Sequence, residues 1–410
     1  MTARITVVNM NDQAALFRNG YRPVVWTDSS PTWRPLSLPC EWKTVGNKTN
    51  DLMELTMRFQ FEDGHDDAVS FAFCYPFSYE DSQAYLGKLT PDPTVYFHRK
   101  CLGISAGGRR IDMLTVTSAE GENAGCSSGH IEPCSDSCGS RLAQHRPVVF
   151  LSARVHPGES PASFIMNGFI DFILQTGDPI AVALRNLFLF KIVPMLNPDG
   201  VAAGNYRTDV MGNDLNRHYN SASSGLDIAC VVREIGVLAE TRRLQYYIDI
   251  HAHANKKGVF VYGNAVGDKQ PETLLFARLM EMTTPTFSFE ACRFSSKLMC
   301  ARDRRGQSRS GSGRVSVFRQ TGITHSYTLE TNYCTDRGRT TVFTVDAFKD
   351  IGSALAKTLL AMASDHHDGG LPSGLADKGD AITFVDQHLS KIRKHGRALK
   401  RHTHPQRARN

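Results

Sequence analysis

A six-residue apolar run, VVFLSA at 148–153, leads without a linker into Arg154 and the tetrapeptide HPGE at 156–159. An apolar run this short is a strand covered on both faces, and charged chemistry at its end must sit in the loop that leaves the sheet. The flanking pattern repeats the arrangement. An apolar helix is predicted over 160–174, a strand over 187–193, a helix over 227–243 and a strand over 246–251. A further strand covers 324–330 and ends in a carboxylate. Phe348, Ile351, Leu355 and Leu359 then recur at helical spacing. Strands alternating with helices imply an α/β fold: a mixed sheet covered by helices, with functional residues in loops at strand ends. Upstream, a short helix is expected over 78–89 and a hairpin over 101–117, turning at Gly107 and Gly108.

Residues 1–74 follow a different rule. Met53, Leu55, Met57, Phe59 and Phe61 alternate with Glu54, Thr56, Arg58 and Gln60, the period of a strand with one buried face. A second strand is predicted at 69–75, and Pro31, Pro35 and Pro39 point to loop between strands. The expected division is a small β module over 1–74, a catalytic domain over 75–365 and a tail over 366–410. Residues 118–146, rich in Gly, Ser and Cys, are an insertion in that domain. The insertion carries Cys126, His130, Cys134 and Cys138 at four-residue spacing, which matches no zinc-finger pattern. The remaining cysteines are irregularly spaced, and no apolar segment at the start has the length of a secretory signal. Reduced thiols in cytosol or nucleus are therefore expected. No apolar run reaches the ~18 residues of a membrane span.

The net charge of +6 belongs to the end of the chain. Residues 391–410 hold eight Lys or Arg and no acid, which leaves the body slightly acidic. That distribution argues against a nucleic-acid binder, and the tail is expected to be disordered, with at most a short helix near 382–392.

His156 and Glu159 stand three apart on a tight turn and can address one ion; His251, at the end of YYIDIH, supplies a third donor. Two imidazoles and one carboxylate suit a catalytic zinc that keeps a position for water. The competing reading is that His156 and Glu159 cap the following helix. Glu330, ending HSYTLE, is placed to act as a base. The polar stretch 197–217 (NPDGV, YRTD, NDLNR) offers Arg207 to stabilise an oxyanion, and Asn216 with Arg217 to grip a free carboxylate. Lys256, Lys257, Arg302, Arg304, Arg305 and Arg314 are candidates for binding acidic side chains, against the plainer reading of a solvated basic face. His253 is expected to be structural.

HPGE, NPDGV, YRTD, NDLNRHY, DIHAHANKKGVFVYGN, ARDRR and HSYTLETNY stand in the order and spacing of the M14-type cytosolic carboxypeptidases, and YPFSYEDSQ at 75–83 resembles the opening of their catalytic domain. Within that family, ARDRRGQSRSGSGRV and HSYTLETNYC look most like the type-five, branch-point deglutamylases. The resemblance implies one Zn2+ on His156, Glu159 and His251, with Glu330 as general base and Arg207 on the oxyanion. It also implies Asn216 and Arg217 on the substrate terminus, and polyglutamylated tubulin or similar acidic tails as partners, in the cytoplasm and at microtubules. The family's N-terminal β-sandwich begins upstream of RITVV, so its first strands are expected to be missing here. At the position where pancreatic relatives carry a mobile tyrosine, the resemblance puts Phe318. Two rivals remain: an aspartoacylase- or succinylglutamate-type zinc amidase, disfavoured by Asn216, Arg217 and the β module, and a non-catalytic binder of tubulin tails, disfavoured by the complete ligand set with Glu330.

Overall fold

The structure is a computed structural model that describes residues 1–11, 13–45, 52–61, 68–119, 145–220, 227–303, 306–333, 342–364 and 373–402. Arg304, Arg305 and the Cys126, His130, Cys134 and Cys138 set lie outside the described residues.

Thirteen strands are described. Six belong to the N-terminal module: β1 (Thr2–Asn11), β2 (Val24–Thr27), β3 (Ser30–Pro35), β4 (Glu41–Thr44), β5 (Leu52–Gln60) and β6 (Val69–Ala72). They form two antiparallel three-stranded sheets, ordered β1-β5-β4 and β3-β2-β6. The sheets enclose Val25, Met53, Leu55 and Met57 together with Leu16, Phe17 and Tyr21 from and beside the short helix α1 (Ala14–Arg18). The alternation read in β5 thus buries Met53, Leu55 and Met57, with Phe59 half-buried and Thr56 also buried. Pro31 and Pro35 lie within β3 and not in a loop. They are tolerated because β3 is an edge strand, where a missing N–H breaks no ladder.

Seven strands form the main sheet: β7 (Val95–Ile104), β8 (Arg110–Ser118), β9 (Val148–Ala153), β10 (Leu189–Val193), β11 (Leu244–His253), β12 (Val259–Tyr262) and β13 (His325–Asn332). Their order is β12-β13-β11-β9-β10-β8-β7, parallel through β13, β11, β9 and β10 and antiparallel at both margins. Every residue of β9 and β13 is buried, as a sheet covered on both faces requires.

The helices are α2 (Tyr79–Gly87), α3 (Pro161–Ile173), α4 (Pro179–Leu187), α5 (Pro198–Ala202), α6 (Ile228–Glu240), α7 (Gln270–Thr283), α8 (Ser296–Cys300), α9 (Gly313–Thr321), α10 (Val345–Ala363) and α11 (Lys378–His402). At the start of α2, Ser78 Oγ accepts the Asp81 N–H and the Asp81 carboxylate accepts the Ser78 N–H, a reciprocal cap that sets the boundary. Helices α3 and α10 cross at Gly168 and Gly352. A Cβ at either would lie 2.1 Å from a backbone oxygen of the other helix, so only glycine permits this approach.

Within the tail expected to be disordered, residues 378–402 are helical, a longer helix than the short one expected near 382–392, and residues 403–410 lie outside the described residues. Ala381 and Val385 are buried, Ile382 packs beside Leu275, Leu279 and Ala361, and Phe384 meets Phe289 edge-on at 5.1 Å. The apolar stripe lies in the first half of α11, where the short helix was expected.

Candidate active site

The turn after β9 is the foundation of the site. Arg154 adopts a left-handed φ of 59°, and its buried guanidinium donates to the Pro157 carbonyl from both Nε and Nη2 and to Ser163 Oγ and the Phe77 carbonyl from Nη1. Those bonds fold HPGE back on itself. Gly158 has to be glycine: its N–H donates to the Tyr206 carbonyl at 2.8 Å, and a Cβ would sit 2.6 Å from the Tyr206 ring.

The turn brings His156 and Glu159 together, and β11, next to β9 in the sheet, delivers His251. Nδ1 of His156 lies 2.9 Å from Glu159 Oε1, Nδ1 of His251 lies 2.9 Å from Glu159 Oε2, and the two Nδ1 atoms are 3.2 Å apart. All three residues are buried, and one donor atom from each falls within 4.8 Å of the others. Among the described residues no other group of this kind occurs.

Each imidazole is held from behind by a carboxylate. His156 Nε2 is 3.1 Å from Asp214 Oδ1 and His251 Nε2 is 2.8 Å from Asp249 Oδ2; Ser152 Oγ donates to the other Asp249 oxygen. With a proton held on each Nε2, both Nδ1 lone pairs face the same point, as a metal requires. Burial works against the Glu159 charge, but the two histidines outweigh it and hold that carboxyl well below its usual range. The residues therefore fit zinc: two imidazole nitrogens, one carboxylate, and a supporting acid behind each ring.

Asp214 and Asp249 went unnoticed in the sequence. Asp249 had a signal, since residues two apart on a strand share a face and His251 is its neighbour in that sense. Asp214 had none beyond its place in NDLNR, because His156, the ring it holds, is 58 residues away in the chain. Its Oδ2 accepts from Nε and Nη2 of Arg207, each at 2.8 Å. One carboxylate therefore orients a histidine and the arginine beside it. Burial opposes ionisation of Asp214, but His156, Arg207 and Arg217 prevail and lower its pKa.

Glu330 pairs in register with His251 across the parallel β13–β11 ladder. Its side chain is buried, and Oε2 has no hydrogen-bond partner among the described residues. Burial raises its pKa, against the pull of His251 and His253. A buried carboxylate with a free oxygen and a raised pKa has the attributes of a proton acceptor.

These groups open into a cleft of about 440 Å³ that is also lined by Asn216, Arg217, Tyr262, Arg309 and Arg314. Asn216 Oδ1 accepts the Gly313 N–H at 3.0 Å, which turns the NH2 of its amide outward to donate. Arg217 is braced by Asp303 at 2.9 Å. Arg314 is buried; its Nη1 donates to the Gly263 carbonyl and Asn264 Oδ1, both neutral, and no carboxylate among the described residues pairs with it. Burial lowers its pKa to about 10, so it remains a cation at neutral pH. Arg309 joins the same wall and was missed in the sequence, where it is one of several arginines in a polar stretch.

Other expected groups go elsewhere. Arg302 is exposed, donates to the Gly306 carbonyl and does not line the cleft. Lys256 donates to the Ala291 carbonyl and lies 4.4 Å from the Phe260 ring centroid. His253 Nδ1 accepts the N–H groups of Asn255 and Lys256, a structural role. Phe318 sits half-buried on α9 and is not among the residues that line the cleft, whereas Tyr206 and Tyr262 are.

Comparison with known proteins agrees with this geometry. Residues 84–358 match the zinc carboxypeptidase family, Peptidase M14. The chain is 33% identical to human cytosolic carboxypeptidase-like protein 5, covering 88% of this chain and 54% of that protein. It is 33% identical to human cytosolic carboxypeptidase 6, covering 86% and 67%. It thus spans about half the length of the first of these relatives. Among solved structures, a metallo-carboxypeptidase from Burkholderia cenocepacia shares the fold at a TM-score of 0.65 and 21% identity, over 88% of this chain and 86% of that one. The fold, the His-Glu-His cluster and these matches together place the chain in the zinc carboxypeptidase family, among its cytosolic carboxypeptidases.

Proposed function

We propose that the chain hydrolyses the carboxyl-terminal peptide or isopeptide bond of acidic protein tails, releasing glutamate, with polyglutamylated tubulin as a candidate substrate. The observation that carries this reading is Arg314, a buried guanidinium that lines the cleft and has no ion-pair partner among the described residues. A buried, unpaired charge is costly, and a substrate carboxylate would offset that cost. Arg309 adds positive charge to the same wall.

Asn216 and Arg217 suit the α-carboxylate of the terminal residue, the group that separates an exopeptidase from an endopeptidase. Arg314 suits the side-chain carboxylate. His156, Glu159 and His251 would hold zinc, which when bound makes water more acidic and a peptide carbonyl more electrophilic. Glu330 accepts the proton of the attacking water on its free Oε2 and returns it to the departing amine. Arg207, oriented by Asp214, donates to the oxygen on which negative charge develops. The relatives named for cytosolic carboxypeptidase activity support a cytoplasmic site of action.

The test is digestion of matched peptides ending in Glu, Leu or Lys, and of a branched glutamyl peptide, with products weighed by mass spectrometry. Glutamate should be released far faster than Leu or Lys, and Arg314→Ala should erase that preference. Equal release of Leu by the wild-type protein would overturn the glutamate reading. Release from the branched peptide alone, or from both kinds, would decide between branch-point and linear cleavage.

A further inference from the structure

Two residues in the cleft wall come from outside the segment that matches the zinc carboxypeptidase family. Gln13 lies in the N-terminal module, well before the matched segment 84–358, yet it lines the cleft with Ala15. It is only 8% exposed. Its backbone is fixed at both ends, the N–H against Met53 Sδ at 3.2 Å and the carbonyl accepting the Leu16 N–H at 2.9 Å. Its side-chain amide has no hydrogen-bond partner among the described residues.

The placement of Gln13 is rigid. The helix it begins, α1, contributes Leu16 and Phe17 to a core that also contains Ala252 and Tyr333. Ala252 follows the ligand His251, and its N–H donates to the ligand Glu159 at 2.9 Å; Tyr333 follows the last residue of β13, three positions after Glu330. Tyr21 and Phe73 pack on Tyr333, and Phe73 meets Tyr206 edge-on at 6.2 Å. The module is therefore locked onto the strand ends that carry the metal ligand and the base.

The terminal residue of a substrate is accounted for by Asn216, Arg217, Arg309 and Arg314, which lie in or beside segments joined by the Gly313–Asn216 bond. The chain that precedes it must leave along another wall, and the wall of Ala252, His253, Ala254 and Asn255 is the one the module completes. A primary amide has a donor and an acceptor in one plane, which matches the N–H and C=O of a peptide group, and its NH2 can also donate to a glutamate carboxylate. We propose that Gln13 is a substrate-binding residue, contacting an acidic peptide chain upstream of the bond that is cut. This rests on the carboxypeptidase reading for the direction of the chain.

The experiment uses the full zinc-loaded chain carrying Glu330→Gln, so that bound peptide is not consumed, and compares it with the same protein also carrying Gln13→Met or Gln13→Glu. Calorimetry measures binding of an acidic decapeptide ending in glutamate and of an N-blocked diglutamate. Gln13→Met keeps the volume and removes the amide, and it should weaken the decapeptide about tenfold while leaving the blocked dipeptide within twofold. Gln13→Glu adds a like charge and should weaken the decapeptide further, less so at high salt. Unchanged decapeptide binding in both variants would overturn the proposal, as would equal weakening of the two ligands or a lowered Tm that accounts for the loss. Cleavage by the wild-type protein is scored separately: a chain that cuts nothing refutes the carboxypeptidase reading, whereas the binding difference reports on Gln13 alone.

Discussion

The metal centre and the cationic wall of the cleft treat their polar groups in opposite ways. Around the metal ligands every hydrogen-bonding position away from the centre is taken: Asp214 and Asp249 hold the imidazoles, and the Ala252 N–H holds Glu159. On the wall, Arg314 rests on neutral oxygens and Arg309 has no acid beside it among the described residues. The first arrangement suits a cation, the second an anion. Ligand positions held in this way cost little to organise on binding, whereas on the proposed reading the charge that pairs with Arg314 arrives with the substrate.

The largest expected effect separates the centre from everything else. His251→Ala or His156→Ala should reduce turnover to background and lose bound zinc together, measured by metal analysis of the purified protein. Loss of turnover with zinc retained would mean that the cluster is not the metal site.

Glu330→Gln should come next. Zinc should stay while kcat falls by at least ~10²-fold, the usual contribution of a positioned base. The pH profile supplies a second check. The active form of Glu330 is the carboxylate, so kcat/KM should fall as pH drops through a pKa raised above the ordinary carboxylate range by burial. That acid limb should be missing from the residual activity of the Gln variant.

A smaller effect tests the supporting acids. Asp249→Asn leaves all three ligands but loosens the tautomer of His251, and zinc affinity should fall ~10- to 100-fold, read by competition with a chelator. An unchanged affinity would show that the ring is held by packing alone.

The smallest effects concern the wall. Arg309→Ala should raise KM for glutamate-ending peptides severalfold, with the deficit shrinking as salt rises, whereas Arg302→Ala should change nothing. A large effect at Arg302 would require the 302–308 loop to turn toward the cleft.

The alternation of strands and helices, the His-Glu-His cluster and the position of Glu330 beside it were legible in the sequence because each depends on local rules: apolar period, strand length and the chemistry of a turn. HPGE had to follow a strand, and His251 and Glu330 were expected to end theirs, although β11 and β13 each run two residues further. Two features escaped for the same physical reason. The acidic pull of Asp214 joins residues 58 apart, and whether an arginine between 302 and 319 faces the cleft depends on one loop's path, so composition could not separate Arg314 from Arg302. Gln13 is the extreme case. A glutamine between a strand and a short helix has no local signal at all, and only the docking of its module on Ala252 and Tyr333 carries it to the cleft. The sequence by itself determined the alternation of strands and helices around the site and which side chains can bind zinc. Tertiary packing decided which charges are left unpaired, because that depends on neighbours brought together only when the sheets and helices close.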